Sequence, residues 1–565
     1  MQKQRFRGIP FLLLLIICTG IVLRFYHLKD AGVKFHDEAI CYIHALTLKH
    51  AMQGWHIKHF LYWYPALPFW IFLGCFITGF SLKGALLWGA INGILCIPLF
   101  YIFCSSIAPK RIALLATIAL AFNYYLVYYS RTNLPTGYGI FFFCILITLL
   151  GKIRVYTEKN NTGDLTFYYT SKQYLLFIST GIFLGILIHI RTDAGLFGVG
   201  MLFALYLAFL STYKYSNIRS NFKSFINRSS FIFVILISAA ISFTLFLVIF
   251  GLLDWINWDA TKLFYKERYS YTHHANSIWG PYLLIFIYRL SSIPFWSIAI
   301  IGIINDIVKF GKINIYRRWC LIAFIGMTIL LFKTGLSFPR AYVFLVVLMC
   351  FYWALGVEYL ISLHFLHSKY TALILGVCLI AATFFGEFML IYPLFKKKAN
   401  YDRLAEYMAS LQPGNIIGTH SWPMLEGLPF DFRKFLIYDL SKQCSSYKSF
   451  CLSLKYNCKN IHIRYMILDN NISYFATNSK IIQQFAVTNL PDVIFYNDYG
   501  DDWHTCMEAF QTPPIKDVFT KRIMLYDLSR PRKIPATPIP FLGSENMDEI
   551  FRQRWTRHLI KKEPK

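Results

Sequence analysis

Long apolar runs alternate with short polar segments over residues 1–392. Several runs reach the ~20 residues that an α-helix needs to cross ~30 Å of hydrocarbon with its backbone hydrogen bonds kept internal. The first run follows a basic start without a small-residue cleavage site, so we interpret it as a retained anchor. The pattern predicts eleven spans, near residues 9–25, 84–104, 112–129, 137–150, 174–190, 194–212, 231–252, 281–304, 319–336, 340–357 and 371–392.

One further apolar run, residues 64–80, is not counted as a span. It is only about 17 residues long and has Pro65 and Pro68 at its start, so it fits a short helix in the membrane interface. Counting it would place the later basic loops outside, against the charge bias described next.

Composition and charge agree with a membrane protein. Of 565 residues, 56% are hydrophobic and 15% charged, which is unusual for a water-soluble enzyme. The net charge of +27 does not indicate a nucleic-acid partner, because Lys and Arg are dispersed among the loops. With a cytoplasmic N-terminus, the inside loops hold more Lys and Arg than the outside loops, as the positive-inside rule requires. We predict a multi-pass protein of the plasma or inner membrane, with a first outer loop near residues 26–83.

Residues 393–565 differ in composition and predict a small extracytoplasmic α/β domain. Residues 401–415 form an amphipathic pattern stopped at Pro413 and Gly414, and the tail after Arg530 is Pro-rich and basic. Five runs are typical of β-strands: "IIGTHS", "KFLIYDL", "IRYMILD", "DVIFYND" and "RIMLYDL".

Four cysteines lie in this domain, namely Cys444, Cys451, Cys458 and Cys506. In an oxidising compartment they could form two disulfides, and the sequence leaves all three pairings open. A zinc site is disfavoured, because none of the spacings is a C-x₂-C knuckle.

The stretch "KFHDEAICYIHA" places Asp37 and Glu38 just beyond the first apolar run. One interpretation is structural: Asp37 caps a helix and Glu38 lies in its first turn. The other is chemical, since a carboxylate at the interface can act as general base toward a hydroxyl, and its neighbour can orient it or hold a cation. The two interpretations are compatible.

The order of motifs resembles a known family. "HDEAICYIHALTLKHAMQGW", "FLYWYPALPFW" and "YYSRTNLPTGYG" are similar, element by element, to the N-terminal half of GT-C glycosyltransferases. The nearest branch holds protein O-mannosyltransferases and the bacterial aminoarabinose transferase. The resemblance covers residues 20–150 and, more weakly, residues 174–357. It implies a polytopic α-helical membrane fold of GT-C type and sugar transfer from a polyprenyl phosphate.

The resemblance also implies roles for residues of the first outer loop. It assigns the base role to Asp37, with Glu38 beside it. Aligned on the shared "LYW", the family's metal-binding glutamate falls on His56, so a divalent metal site is altered or absent rather than excluded. Lys58 is a candidate contact for the lipid phosphate.

The family's "S-R-T-x-L-x-D" element corresponds to "SRTNLPT", where Ser130 and Arg131 match. Its aspartate is Thr136 here. A hydroxyl is no base at neutral pH without activation, so a second carboxylate would come from Glu38 or another acid.

Two arginines at predicted outer helix ends have competing interpretations. Arg191 lies beside Asp193, which favours a local ion pair at a helix junction. Arg340 matches the family's related "R-Y" element, which suggests a contact with polyprenyl phosphate, because guanidinium binds phosphate oxygens through a fork of donors. Snorkelling from a helix end is the alternative for Arg340.

The predicted outer loop 253–280 is rich in aromatic residues and contains His273 and His274. An aromatic belt explains its Trp and Tyr without a ligand. The resemblance places part of the donor or acceptor groove here, and adjacent histidines alone are a weak metal signal.

These observations predict an inverting-type glycosyltransferase that acts on the outer membrane face. Asp37 would deprotonate an acceptor hydroxyl of a glycan, lipid or protein, while Arg340, Arg131 and Lys58 would meet the donor phosphate. One alternative is a transporter or flippase of a lipid-linked saccharide, although charges inside the predicted spans are scarce and the sequence shows no inverted repeat. Another is an inactive glycan-binding relative, which Thr136 and His56 favour.

Overall fold

The structure of the protein is a computed structural model. The structure describes residues 8–32, 36–54, 66–153, 156–159, 165–211, 222–259, 262, 291–334, 342–363, 369–412, 414–418, 434–437, 440, 444–460, 462–469, 479–496 and 522–529. The chain divides into two compact units, one of Met1–Tyr26, His44–Phe80 and Gly84–Leu394 and the other of His27–Ile43, Ser81–Lys83 and Phe395–Lys565. The domain boundary at residues 392 and 393 stays a prediction.

Helices dominate residues 8–391, and each predicted span overlaps one of them. In chain order the helices are α1 (Gly8–Phe25), α2 (Leu28–Ala31), α3 (His36–Met52), α4 (Ala66–Thr78), α5 (Leu82–Ile107), α6 (Lys110–Phe122), α7 (Tyr124–Ser130), α8 (Pro135–Leu150), α9 (Ser171–Ile190), α10 (Thr192–Leu210), α11 (Phe222–Leu252), α12 (Ile293–Val308), α13 (Ile315–Thr334), α14 (Val343–Ile361) and α15 (Lys369–Ile391).

Within the described residues, six helices are long and apolar enough to cross a membrane, or seven if the bent pair α6 and α7 forms one span. The chain is therefore a multi-pass α-helical membrane protein, as predicted. Helices α1, α4, α8 and α12 are apolar but shorter, so the number of eleven spans and the interfacial position of α4 stay predictions.

Helix α14 forms the centre of the helical unit. Its residues 343–357 are all buried, and it packs against α6, α8, α12 and α15. By contrast, α11 and α15 expose many apolar side chains, including Phe233, Leu245 and Phe385. A helix that is apolar all round belongs inside a bundle, whereas exposed apolar faces of this kind suit contact with lipid.

The predicted span 112–129 is wrong in one respect, because it is not a continuous helix. Helices α6 and α7 meet at an angle of 57°. Asn123 ends α6 and caps α7, with its side-chain oxygen accepting a 3.1 Å hydrogen bond from the backbone N–H of Leu126. Asparagine is favoured at such caps because its side chain replaces a missing helical acceptor.

A short antiparallel hairpin interrupts the helical pattern where the sequence predicts only a basic loop. Strands β1 (Tyr156–Lys159) and β2 (Leu165–Tyr168) pair in register from Tyr156 opposite Tyr168 to Lys159 opposite Leu165. Each strand is only four residues long, so its alternation of apolar and polar positions is a weak signal in the sequence.

The second unit contains a five-stranded mixed sheet, and each of the five predicted β-runs overlaps one strand. The strands are β3 (Asn415–Gly418), β4 (Lys434–Leu436), β5 (Ile463–Leu468), β6 (Val493–Tyr496) and β7 (Arg522–Asp527). Their order is β4-β3-β5-β7-β6, with β3 parallel to β4 and β5, and β7 antiparallel to β5 and β6. The predicted α/β fold is confirmed.

The described part of this unit from residue 395 onward also contains three helices: α16 (Tyr401–Ala409), α17 (Tyr447–Asn460) and α18 (Ser479–Thr488). The sheet and the last two helices share an apolar core that includes Phe450, Met466, Phe485 and Met524. Helix α16 is amphipathic as predicted and ends at Ala409, a few residues before the predicted stop.

The two disulfides that an oxidising compartment would allow are not present in this structure. Cys451 and Cys458 are free thiols on α17, and the thiol of Cys444 donates a hydrogen bond to the carbonyl of Leu440. Two disulfides would use all four cysteines, so free thiols at two of them exclude that arrangement in this structure. Cys506 lies outside the described residues.

Candidate active site

The acidic pair lies at the start of α3. The helix begins at His36, so Asp37 and Glu38 occupy its first turn, where the helix dipole favours negative charge. Glu38 is fully buried. The side chain of Asp37 lies outside the described part of the structure. Buried carboxylates need polar partners, so the carboxylate of Glu38 contacts polar groups of the protein rather than solvent.

His44 lies further along the same helix and is also buried. Burial lowers the pKa of its imidazole from 6.5 to about 4, because a charged ring is poorly solvated there. His44 is therefore neutral near pH 7.

Arg131 is fully buried at the end of α7. Its Nη1 donates to the carbonyls of Leu23 at 3.3 Å, Arg24 at 3.1 Å and Tyr26 at 2.8 Å, at the C-terminal end of α1. A cation at this end complements the helix dipole and satisfies carbonyls that have no partner within the helix. The structure thus places Arg131 as a contact between α7 and α1, and its contact with a donor phosphate stays a prediction.

The turn from α7 to α8 is packed closely against α5. A Cβ at Gly89 would lie 2.4 Å from the carbonyl oxygen of Thr132, and a Cβ at Gly93 would lie 2.2 Å from the Cβ of Ser130. Only glycine allows this approach of two backbones. The segment "SRTNLPT" is therefore held by backbone packing as well as by Arg131.

Thr136 lies at the start of α8 and contacts Arg191, which lies at the junction between α9 and α10. Arg191 donates from Nη1 to the Thr136 hydroxyl. The same guanidinium forms a bidentate pair with Asp193, from Nε to Oδ1 at 2.5 Å and from Nη2 to Oδ2 at 2.6 Å. The predicted local ion pair of Arg191 and Asp193 is confirmed.

The link from this ion pair to Thr136 was not predictable from the sequence. Residues 136 and 191 are 55 positions apart, and the motif element ends at Thr136. The only local signal is the "RTD" triplet, which predicts the ion pair but not its third partner.

Five of the predicted site residues lie outside the described residues, namely His56, Lys58, His273, His274 and Arg340. Among the described residues, no group of three or more His, Cys, Asp or Glu side chains is arranged to hold a metal ion. The fit of a divalent metal to His56 therefore stays a prediction, and no step of the mechanism below passes through a metal.

Comparisons with known proteins were made at the level of sequence and of structure. No protein-family profile matches the sequence, and no curated protein matches it. Solved structures do match. The oligosaccharyltransferase AglB from Archaeoglobus fulgidus, in complex with an inhibitory peptide and a dolichol-phosphate, is similar with a TM-score of 0.54 at 12% identity, over 88% of this chain and 74% of that one.

Two further structures have the same architecture. ArnT from Cupriavidus metallidurans, bound to undecaprenyl phosphate, matches with a TM-score of 0.52 at 11% identity, over 91% of this chain and 97% of that one. A complex of the Archaeoglobus oligosaccharyltransferase with Zn and sulfate matches with a TM-score of 0.50 at 13% identity, over 86% of this chain and 72% of that one. At such low identity the similarity establishes the fold: this chain has the GT-C glycosyltransferase fold.

Proposed function

We propose that this protein is a glycosyltransferase that moves a sugar from a polyprenyl-phosphate donor to an acceptor hydroxyl on the outer membrane face. One observation supports this most directly: a chain with the GT-C fold carries a pair of carboxylates in the first turn of α3. The similar structures of AglB and ArnT contain a dolichol-phosphate and an undecaprenyl phosphate, respectively. The acceptor is a glycan, lipid or protein hydroxyl.

The proposed step is a single displacement at the anomeric carbon. The acceptor oxygen forms a bond to that carbon while its proton passes to the carboxylate of Asp37. The bond from the anomeric carbon to the phosphate oxygen breaks, and the electron pair leaves with the polyprenyl phosphate. Because the leaving group is a phosphate, it needs neutralisation of charge more than protonation, and the configuration of the sugar is inverted.

Other residues of the first outer loop and the later loops complete the proposed site. Glu38 orients Asp37 or shares its charge environment, and Lys58 and Arg340 contact the donor phosphate. His273 and His274 line the donor or acceptor groove. Arg131 is kept as a phosphate contact in this proposal, although its Nη1 is bonded to the end of α1.

The metal requirement is a separate part of the proposal. His56 replaces the glutamate of the family's metal site and is proposed as a ligand for a divalent cation. Two measurements test that assignment without altering Asp37. One is sugar transfer by the wild type in membranes treated with a chelator, and the other is sugar transfer by His56→Ala.

The test of the function compares Asp37→Asn with wild type in a strain that lacks the protein. The readout is the mass of surface glycans and glycolipids, at equal levels of protein in the membrane. Asp402→Asn is the matched control, because Asp402 is also the second residue of its helix and forms only an exposed ion pair with Lys83. We expect wild type and Asp402→Asn to restore a mass step of one sugar, and Asp37→Asn to leave it absent.

The other outcomes point to the alternative functions. Equal restoration by Asp37→Asn would contradict a base role and shift support to a transporter or flippase of a lipid-linked saccharide. Absence of any mass step from the wild type, together with retained binding of glycans, would support the inactive binding protein.

A further inference from the structure

Arg191 lies between the starts of two helices. Thr136 is the second residue of α8, and Asp193 is the second residue of α10. Arg191 uses Nη1 toward Thr136 and its other edge, Nε and Nη2, toward Asp193. A carboxylate at either helix start would therefore contact the same guanidinium.

The surroundings of Arg191 require one such carboxylate. Thr136 and Arg191 are buried, and Phe344 of α14 lies with its ring centroid 5.9 Å from the Arg191 guanidinium carbon. A buried guanidinium without a carboxylate is strongly unfavourable. Both candidate positions lie in the first turn of a helix, where the dipole favours negative charge.

The resembling family carries its aspartate at the position of Thr136, and this chain has a hydroxyl there. We propose that Asp193 supplies the missing carboxylate from the other side of Arg191. In this assignment Asp193 is a positioning residue: it holds Arg191 against the start of α8 and so keeps the segment "SRTNLPT" in the arrangement that transfer needs. The proposal rests on the proposed function and adds a residue to that site.

The experiment moves the carboxylate from one helix to the other. The variants of the full-length protein are Asp193→Asn, Thr136→Asp and the double variant that combines them. The control is Asp306→Asn, because Asp306 is a fully buried aspartate that pairs with Arg317 at another helix junction. Two quantities are measured: the thermal midpoint of the purified protein, and the rate at which the one-sugar mass step appears after induction, per amount of folded protein in the membrane.

We expect Asp193→Asn to lower the rate per folded protein by about 100-fold, the size of effect that a misplaced reactive segment produces. Thr136→Asp is the parent of the double variant, and its rate and thermal midpoint are measured beside those of the double variant. The double variant should recover most of the rate and of the thermal midpoint. Asp306→Asn should lower the thermal midpoint but leave the rate per folded protein within about threefold.

Three results would overturn the proposal, and they are distinguishable. If Asp193→Asn behaves like Asp306→Asn, the ion pair is structural only. If the double variant recovers neither the rate nor the thermal midpoint that Asp193→Asn loses, a carboxylate at position 136 does not replace the one at position 193. This comparison can be made even if Asp193→Asn accumulates poorly. If the wild type gives no mass step, the proposed function fails and the positioning role fails with it.

Discussion

Glu387 of α15 accepts a 2.6 Å hydrogen bond from the backbone N–H of Tyr124, at the break between α6 and α7. The same buried carboxylate accepts a 2.8 Å hydrogen bond from the backbone N–H of Ser292, the residue that caps α12, and a further one from the hydroxyl of Ser291. One side chain thus satisfies donors at the starts of two helices, which otherwise would have no partner in an apolar interior.

Glu387→Ala should destabilise the protein strongly, because it leaves these buried donors without an acceptor. Unsatisfied buried groups cost about 1–3 kcal/mol each, so we expect a loss of roughly 3 kcal/mol or more in the free energy of unfolding. Glu387→Gln keeps one acceptor oxygen and should lose less. Thermal unfolding of the purified protein measures both.

The control for this comparison is Glu358→Ala, since Glu358 pairs with the exposed Arg111. Its effect should stay within about 1 kcal/mol, as for other surface ion pairs. Equal effects of the two alanine variants would show that Glu387 does not stabilise the helix break.

Arg131→Met should lower stability, because it removes the donor to three carbonyls at the end of α1. We expect a loss of about 2–4 kcal/mol, from the lost charged hydrogen bonds and the buried acceptors left behind. Arg111→Met is the control and should change stability by less than about 1 kcal/mol. An unchanged thermal midpoint with weaker binding of an undecaprenyl phosphate probe would instead support the phosphate-binding role alone.

Because His44 is buried in its neutral form, we expect the free energy of unfolding to fall in mild acid. Its pKa is 6.5 when unfolded and about 4 in the fold, so the neutral form is favoured by folding. The stabilisation is present above pH 6.5 and is lost as the pH falls toward 4, by roughly 3 kcal/mol in total. His44→Gln should be less sensitive over this window when denaturation is followed at a series of pH values. A wild type as insensitive as His44→Gln would contradict this account.

The orientation of the chain can be tested with single exposed cysteines. Tyr456→Cys on α17 should react with a membrane-impermeant maleimide in intact cells, because residues 393–565 are predicted outside. Lys312→Cys, in a predicted cytoplasmic loop, should react only after the membrane is opened. The background is measured on the wild type, which has exposed thiols at Cys18 and Cys378 and half-buried thiols at Cys451 and Cys458, whose pKa is raised by burial. The reverse pattern would invert the predicted topology.

Local patterns predicted the long helices and the five strands of the second unit, but not the β1–β2 hairpin or the break between α6 and α7. Apolar runs located helices such as α5, α9 and α14, because a helix in lipid must be apolar over most of its length. The strands β5 and β7 were predictable for the same kind of reason, since buried strands are short runs of β-branched and aromatic residues bounded by polar turns.

Contacts between distant residues were not predictable in the same way. The break at Asn123 depends on Glu387, which is 263 positions from Tyr124, and the place of Arg131 depends on carbonyls more than 100 positions earlier. The candidate site shows the same division. Motifs in the sequence indicated Asp37, Glu38 and Thr136, whereas the contact of Thr136 with Arg191 joins residues 55 positions apart.

The membrane helices, the strands of the α/β sheet and the pairing of Arg191 with Asp193 were predictable, because each follows from residues close together in the chain. The bond from Arg191 to Thr136, the burial of Glu38 and the contact of Arg131 with the end of α1 depend on how the helices pack. Hydrogen bonds and ion pairs depend on atoms within about 3 Å of each other, and packing of the helices alone brings such atoms together.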